Sequence, residues 1–198
     1  RNEPMLDFYD RKAAFQKASE LLINSGYSRA GFESYALPND PLTKSMQTKK
    51  AVYNSLGTQK GEATNFIAVG SSAHGVLNDE YYFQNFYEQN LYREAIDNGR
   101  FPIYRGLKMS RDDVIRREVI RHIRTFFNIE IDFFEKKYEF SFKDYFKKEL
   151  KNLIIFEKDQ LLTINNNSIV VTPLGEHFSP QIANVFDIYN DQKFYDKN

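Results

Sequence analysis

The chain has 198 residues, with 27 Lys and Arg against 27 Asp and Glu, three His and no Cys. That length holds one large domain or two small ones, each with its own core. Balanced charge gives no argument for nucleic acid or an anionic membrane as partner. Without thiols there is no disulfide framework and no thiolate metal site, and no apolar run reaches the roughly 20 residues of a membrane helix. With no signal peptide either, the expectation is a soluble, cytoplasmic monomer. A chain that begins with Arg1 rather than methionine reads as part of a longer protein. Aromatic residues are abundant, 18 Phe and 13 Tyr, and concentrate in residues 81–87 and 126–146. Each ring buries a large area, which predicts a ring-rich core rather than a tetrapyrrole-stacking surface.

In chain order, Ala14, Ala18, Leu21 and Leu22 recur at helical spacing within about residues 10–24, and Ser25-Gly26 makes a C-cap. Residues 27–37 read as a strand, stopped by Pro38-Asn39-Asp40-Pro41. Residues 44–64, which include Gly57 and Gly61, read as mostly loop, and 65–69 as a short buried strand running into Gly70-Ser71-Ser72. This helix–strand–loop–strand order predicts the last βα units of a parallel barrel, whose post-strand loops face the active site. Residues 33–36 and 71–75 are thereby placed near chemistry. Residues 81–98 predict a helix closed by Asn98-Gly99, followed by a linker at Phe101-Pro102.

Ser110 with Asp113 makes a capping box. Ile115, Val119, Ile123 and Phe126 then form one stripe of a helix, and Arg117, Arg121 and Arg124 another. The remainder predicts a winged helix: helices over 134–138 and 142–153, a hairpin of 161–164 and 169–172 around Asn165-Asn166-Asn167-Ser168, and a closing helix over 175–189. The predicted fold class is α/β, the last βα units of a partial barrel, followed by a mostly α winged-helix-like carboxy-terminal domain. The expected division is 1–104 and 105–198.

Six signatures stand in fixed order: Gly26-Tyr27, Tyr35-Ala36-Leu37-Pro38-Asn39-Asp40, Gly70-Ser71-Ser72-Ala73-His74, Gln84-Asn85, Arg105-Gly106-Leu107 and Asp112-Asp113-Val114-Ile115-Arg116-Arg117-Glu118-Val119-Ile120. Over about residues 10–189 their order and spacing resemble the carboxy-terminal portion of the oxygen-independent coproporphyrinogen III oxidases. The Asp-Asp-x-Ile-Arg-Arg helix is the most specific piece. The resemblance implies a radical S-adenosylmethionine (SAM) enzyme of haem biosynthesis, which uses SAM, a 4Fe–4S cluster and an external electron donor. It would oxidatively decarboxylate two propionates of coproporphyrinogen III to give protoporphyrinogen IX. Cluster irons need thiolates, and this chain has none. The reactive centre is therefore expected upstream of Arg1, and the isolated chain is expected to be inactive.

In that family a Gln and an Ile, 18 residues apart, lie at the SAM sites. The matching positions here are Leu56, in Asn54-Ser55-Leu56-Gly57, and His74, in Ser71-Ser72-Ala73-His74-Gly75. Leu56 makes none of the hydrogen bonds of an amide, and His74 puts an imidazole in place of an aliphatic wall. The cofactor-binding set implied by the resemblance is His74, Leu56, Ala73 and Ser72, with Glu33 expected at the barrel mouth. Arg105 and Arg116 are the candidate substrate contacts, because guanidinium groups bind carboxylates bidentately. No catalytic residue and no metal ligand is expected, since no second His or carboxylate cluster accompanies His74.

Each candidate has a plainer role beside this one. His74 could simply order its loop, Glu33 pair with Arg29, and the arginines form a solvated face with pairs such as Asp112–Arg116 and Asp113–Arg117. His122 and His177 read as core-edge or surface residues. Two other functions stay open. One is a haem-binding or haem-delivering relative, motivated by His74. The other is a winged-helix DNA-binding module using Lys143, Lys147, Lys148 and Lys151. The 15 basic and 15 acidic residues of 106–198 argue against the second.

Overall fold

The computed structural model describes residues 7–54, 57–61, 65–78 and 80–189. The chain forms two compact units, Arg1–Gly61 and Glu62–Asn198, so the expected division at 104/105 lies within the second.

In the first unit, helix α1, Phe8–Asn24, starts at Asp7, whose side chain accepts from the Asp10 N–H at 2.8 Å. It ends at Gly26, whose φ of 89° is a left-handed conformation that costs glycine little. The expected single strand over 27–37 is instead two short antiparallel strands, β1, Ser28–Arg29, and β2, Tyr35–Ala36. Gly31, at φ 81°, reverses the chain between them. The Arg29 side chain stitches the bend by donating to the Gly31 and Phe32 carbonyls at 3.1 and 2.9 Å.

Helix α2, Pro41–Gln47, is capped by Asp40, which accepts from the Leu42 N–H at 2.7 Å, and has Pro in its first turn. Strands β3, Val52–Asn54, and β4, Gly57–Gln59, pair antiparallel where a loop was expected. Three residues per strand are too few to leave a readable alternation.

In the second unit, β5, His74–Leu77, β6, Tyr81–Asn85, and, after helix α3, Gln89–Asp97, strand β7, Ile103–Lys108, form an antiparallel sheet in the order β5-β6-β7. The helix expected over 81–98 thus begins only after Glu88. Its first part, Tyr81-Tyr82-Phe83, is aromatic and takes strand form. The strand expected at 65–69 reduces to one bridge between Phe66 and Val76. Only three residues join β5 to β6, whereas a parallel pair needs a crossover of about a dozen. Every described strand pair is antiparallel, and no barrel closes among the described residues.

The rest is a winged helix. Helix α4, Arg111–Phe126, has the expected capping box between Ser110 and Asp113. Then come β8, Asn128–Glu130, α5, Ile131–Tyr138, α6, Phe142–Tyr145, α7, Lys147–Lys158, β9, Leu162–Ile164, and β10, Ser168–Val171. A 3-10 turn, Gly175–Phe178, leads into α8, Ser179–Asn184, which is shorter than the closing helix expected. The sheet order is β8-β10-β9, all antiparallel.

Ile115, Val119 and Ile123 are buried as the stripe predicts, and Phe126 is half-buried at its end. Phe134, Phe142, Phe146 and Phe186 are fully buried and pack in a row, Phe142 tilted on Phe146 at 4.7 Å and Phe146 edge to face on Phe186 at 5.2 Å and 81°. Three rings of the aromatic-rich segment and Phe186 from outside it therefore join the aliphatic stripe in the core.

Candidate functional site

The turn before β5 is held from several sides. Gly70 and Ser72 have φ of 103° and 62°, and the Ser72 N–H donates to the Phe86 carbonyl at 2.9 Å. Asn85 is almost fully buried. Its side chain donates to the Ala68 and Gly70 carbonyls at 3.3 and 2.9 Å, while its own N–H donates to the Ala73 carbonyl. Tyr92 of α3 accepts from the Gly70 N–H through its hydroxyl at 3.0 Å. Gly75 is needed for packing: a Cβ there would lie 2.1 Å from Cζ of Phe83 and 2.7 Å from the Phe66 carbonyl oxygen.

The sheet register then makes a row. His74 of β5 stands opposite Gln84 of β6, and Gln84 opposite Arg105 of β7. Directly opposed residues share a sheet face, so three sequence-distant polar side chains become neighbours. Gln84 Oε1 accepts from Arg105 Nε at 2.9 Å, and Gln84 Nε2 donates to the Ser72 carbonyl at 3.3 Å. Tyr104 flanks the guanidinium, with the Arg105 Cζ 5.9 Å from its ring centre. The row borders a recess of about 210 Å³ lined by His74, Tyr82, Gln84, Arg105, Gly106 and Leu107. Whole-ligand pockets run from about 300 Å³ upward, so this recess holds at most one part of a larger molecule.

Of the residues expected from sequence, His74 and Arg105 meet in this row. Ser72 joins it through its carbonyl, and Ala73 is half-buried beside them. Glu33 belongs to the first unit, where it is exposed and accepts from the Tyr53 hydroxyl at 3.3 Å. Leu56 lies outside the described residues. Gln84, quoted in a motif but given no task, is the member sequence reasoning missed.

Arg116 sits elsewhere and is mostly buried. Its Nε donates to Asp112 Oδ2 at 2.8 Å, and its Nη1 to Glu149 Oε1 at 2.8 Å and to the Phe186 carbonyl at 3.2 Å. Burial alone would lower its pKa, but Glu149 and Asp112 more than offset that and raise it. The guanidinium thereby ties α4 to α7 and to the segment after α8.

His122 stacks on Phe133 at 5.3 Å and meets Phe126 and Phe134 edge-on. Burial pushes it down to about 4, only partly opposed by Glu118, with Arg121 and Lys137 pushing the same way as burial. Glu118 itself is lowered: burial would raise it, and hydrogen bonds from Lys137 and Tyr138 outweigh that.

Among the described residues no group of three or more His, Asp or Glu is placed to hold a metal. With no cysteine in the sequence, an iron–sulfur cluster does not fit this chain.

Residues 109–176 match the HemN C-terminal domain. The oxygen-independent coproporphyrinogen III oxidase of Helicobacter pylori strain J99 is 29% identical over 180 residues, covering 91% of this chain and 39% of that protein. The enzyme of the same name from Escherichia coli K12 is 32% identical over 178 residues, covering 90% and 39%. A solved structure of Escherichia coli coproporphyrinogen III oxidase (HemN), a radical SAM enzyme, matches with a TM-score of 0.86 at 28% identity. That match covers 96% of this chain and 43% of the other. The chain spans about two fifths of the length of the curated relatives it matches. By sequence and by fold, the chain is similar to part of the oxygen-independent coproporphyrinogen III oxidases, and its residues 109–176 match the HemN C-terminal domain.

Proposed function

We propose that the chain is the carboxy-terminal part of an oxidoreductase of haem biosynthesis, one that oxidatively decarboxylates two propionates of coproporphyrinogen III to give protoporphyrinogen IX. In this reading the residues up to the end of β7 complete the catalytic domain and the winged helix forms the carboxy-terminal domain, because a boundary at 104/105 would cut through β7. The complete protein works in the cytoplasm as a monomer with an external electron donor, and without nucleic acid or membrane partners. A 4Fe–4S cluster, held by thiolates that these 198 residues lack, and SAM would supply the one-electron chemistry. Residues of this chain bind, orient and shield.

The observation that carries the reading is the His74–Gln84–Arg105 row, which sets a guanidinium beside a small recess. Arg105 offers a planar fork to a propionate, which a carboxylate meets with two parallel hydrogen bonds. His74, Ser72 and Ala73 present the adjoining turn to the cofactor, and Asn85 and Tyr92 hold that turn in shape. Arg116, whose guanidinium ties α4 to α7 and to the segment after α8, braces the winged helix rather than meeting substrate.

The test is a fluorescence titration of the chain with coproporphyrin III, the stable oxidised form of the substrate. Arg105→Ala should weaken binding by about tenfold. The tetramethyl ester, which lacks carboxylates, should bind the two proteins alike. Equal affinity of the two proteins for the free acid would refute the assignment.

A further inference from the structure

We propose that Gln84 is a positioning residue, whose side-chain amide holds the Arg105 fork open toward the recess and couples it to the turn preceding His74. This rests on the reading of the row as a carboxylate site. Gln84 stands on the central strand of the sheet, flanked by backbone pairing on both sides, which fixes where its side chain starts.

The ladder slips immediately after it. Gln84 pairs with Arg105, but Asn85 pairs with Ile103, so Tyr104 is the extra residue on β7. Such irregularities re-aim side chains near functional sites. Here the slip sets the Tyr104 ring beside Arg105 and against Phe86 and Tyr87 at 5.9 and 5.6 Å.

Both hydrogen bonds of Gln84 need an amide. The carbonyl oxygen accepts from Arg105 Nε, and the amino group donates to the Ser72 carbonyl. Because the acceptor takes Nε, the structure records no partner for the two terminal nitrogens of Arg105 among the described residues. These are the atoms that grip a carboxylate in the parallel two-bond mode. A Glu at this position would still accept from Nε, but its charge would compete with the incoming anion and repel the Ser72 carbonyl. A Leu would release both ends. Ligand at Arg105 and the shape of the Ser72 turn are thus linked through one amide.

The experiment uses the whole 198-residue chain, labelled with nitrogen-15. In the unliganded protein the Arg105 Nε–H should exchange slowly with solvent. Gln84→Leu should abolish that protection, and Gln84→Glu should keep it, which also verifies that the substituted strand still folds. In coproporphyrin III titrations, Gln84→Leu should weaken binding about tenfold and Gln84→Glu more. The Gln84→Leu/Arg105→Ala double variant should bind no worse than Arg105→Ala alone.

Persisting protection in Gln84→Leu, or losses that multiply in the double variant, would overturn the positioning role while leaving the carboxylate site intact. An Arg105→Ala curve that matches the parent protein would instead overturn the site, and the positioning role with it.

Discussion

At the scale of single residues, Arg116 and His122 are both enclosed, and each enclosure has a measurable consequence. Arg116→Ala would leave Glu149, only 10% exposed in its side chain, as a buried carboxylate without its cation. Removing one partner of such a pair costs about 3 kcal/mol, so the urea midpoint should fall accordingly. Arg116→Lys should recover only part, because one ammonium does not reproduce the fork that reaches Asp112, Glu149 and the Phe186 carbonyl together. His122 acts on pH dependence. Its folded value near 4 lies below the ordinary 6.5, so folding favours the neutral ring. The stabilisation is whole above about pH 6.5 and is lost as pH falls through 4, up to about 3 kcal/mol. Urea unfolding at several pH values between 7 and 4 should therefore show a slope that His122→Phe flattens. The lowered Glu118 carboxyl would leave a residual slope at the acid end.

Single elements show where sequence speaks and where it falls silent. Helix α4 was legible because its evidence is local: a capping box at Ser110 and an apolar stripe through Ile115, Val119 and Ile123. The wing was legible for the same reason, an Asn-rich turn between β-branched strands. The site row was not. His74, Gln84 and Arg105 come together through strand register, and residues 81–98 read as one helix would have sent Gln84 elsewhere. Strands of two to five residues carry too little periodicity to announce themselves, and β1 to β6 are all of that length. Close packing of β5 gives the matching prediction. Gly75→Ala forces the Phe83 ring or the Phe66 bridge to move, since both lie inside the reach of the new methyl. Overpacking of this kind costs about 1–3 kcal/mol. Calorimetry should show a lowered melting temperature for Gly75→Ala, and coproporphyrin binding should fall with it.

For the whole molecule, the absence of cysteine decides what these 198 residues do alone. Supplied with iron, sulfide and a reductant, the isolated chain should show no cluster absorption and release no 5′-deoxyadenosine from SAM. Either signal would overturn the division of labour proposed above. One margin of the second unit adds a further constraint. Strand β7 closes its sheet on one side, all six of its residues are exposed, and Ile103, Tyr104 and Leu107 are among them. A bare sheet margin is a template on which a second copy can lay its own strand, and charged side chains along it discourage that. Arg105 and Lys108 are the charges on this margin. The guanidinium assigned to ligand capture therefore stands where positive charge also disfavours edge-to-edge pairing of two such sheets.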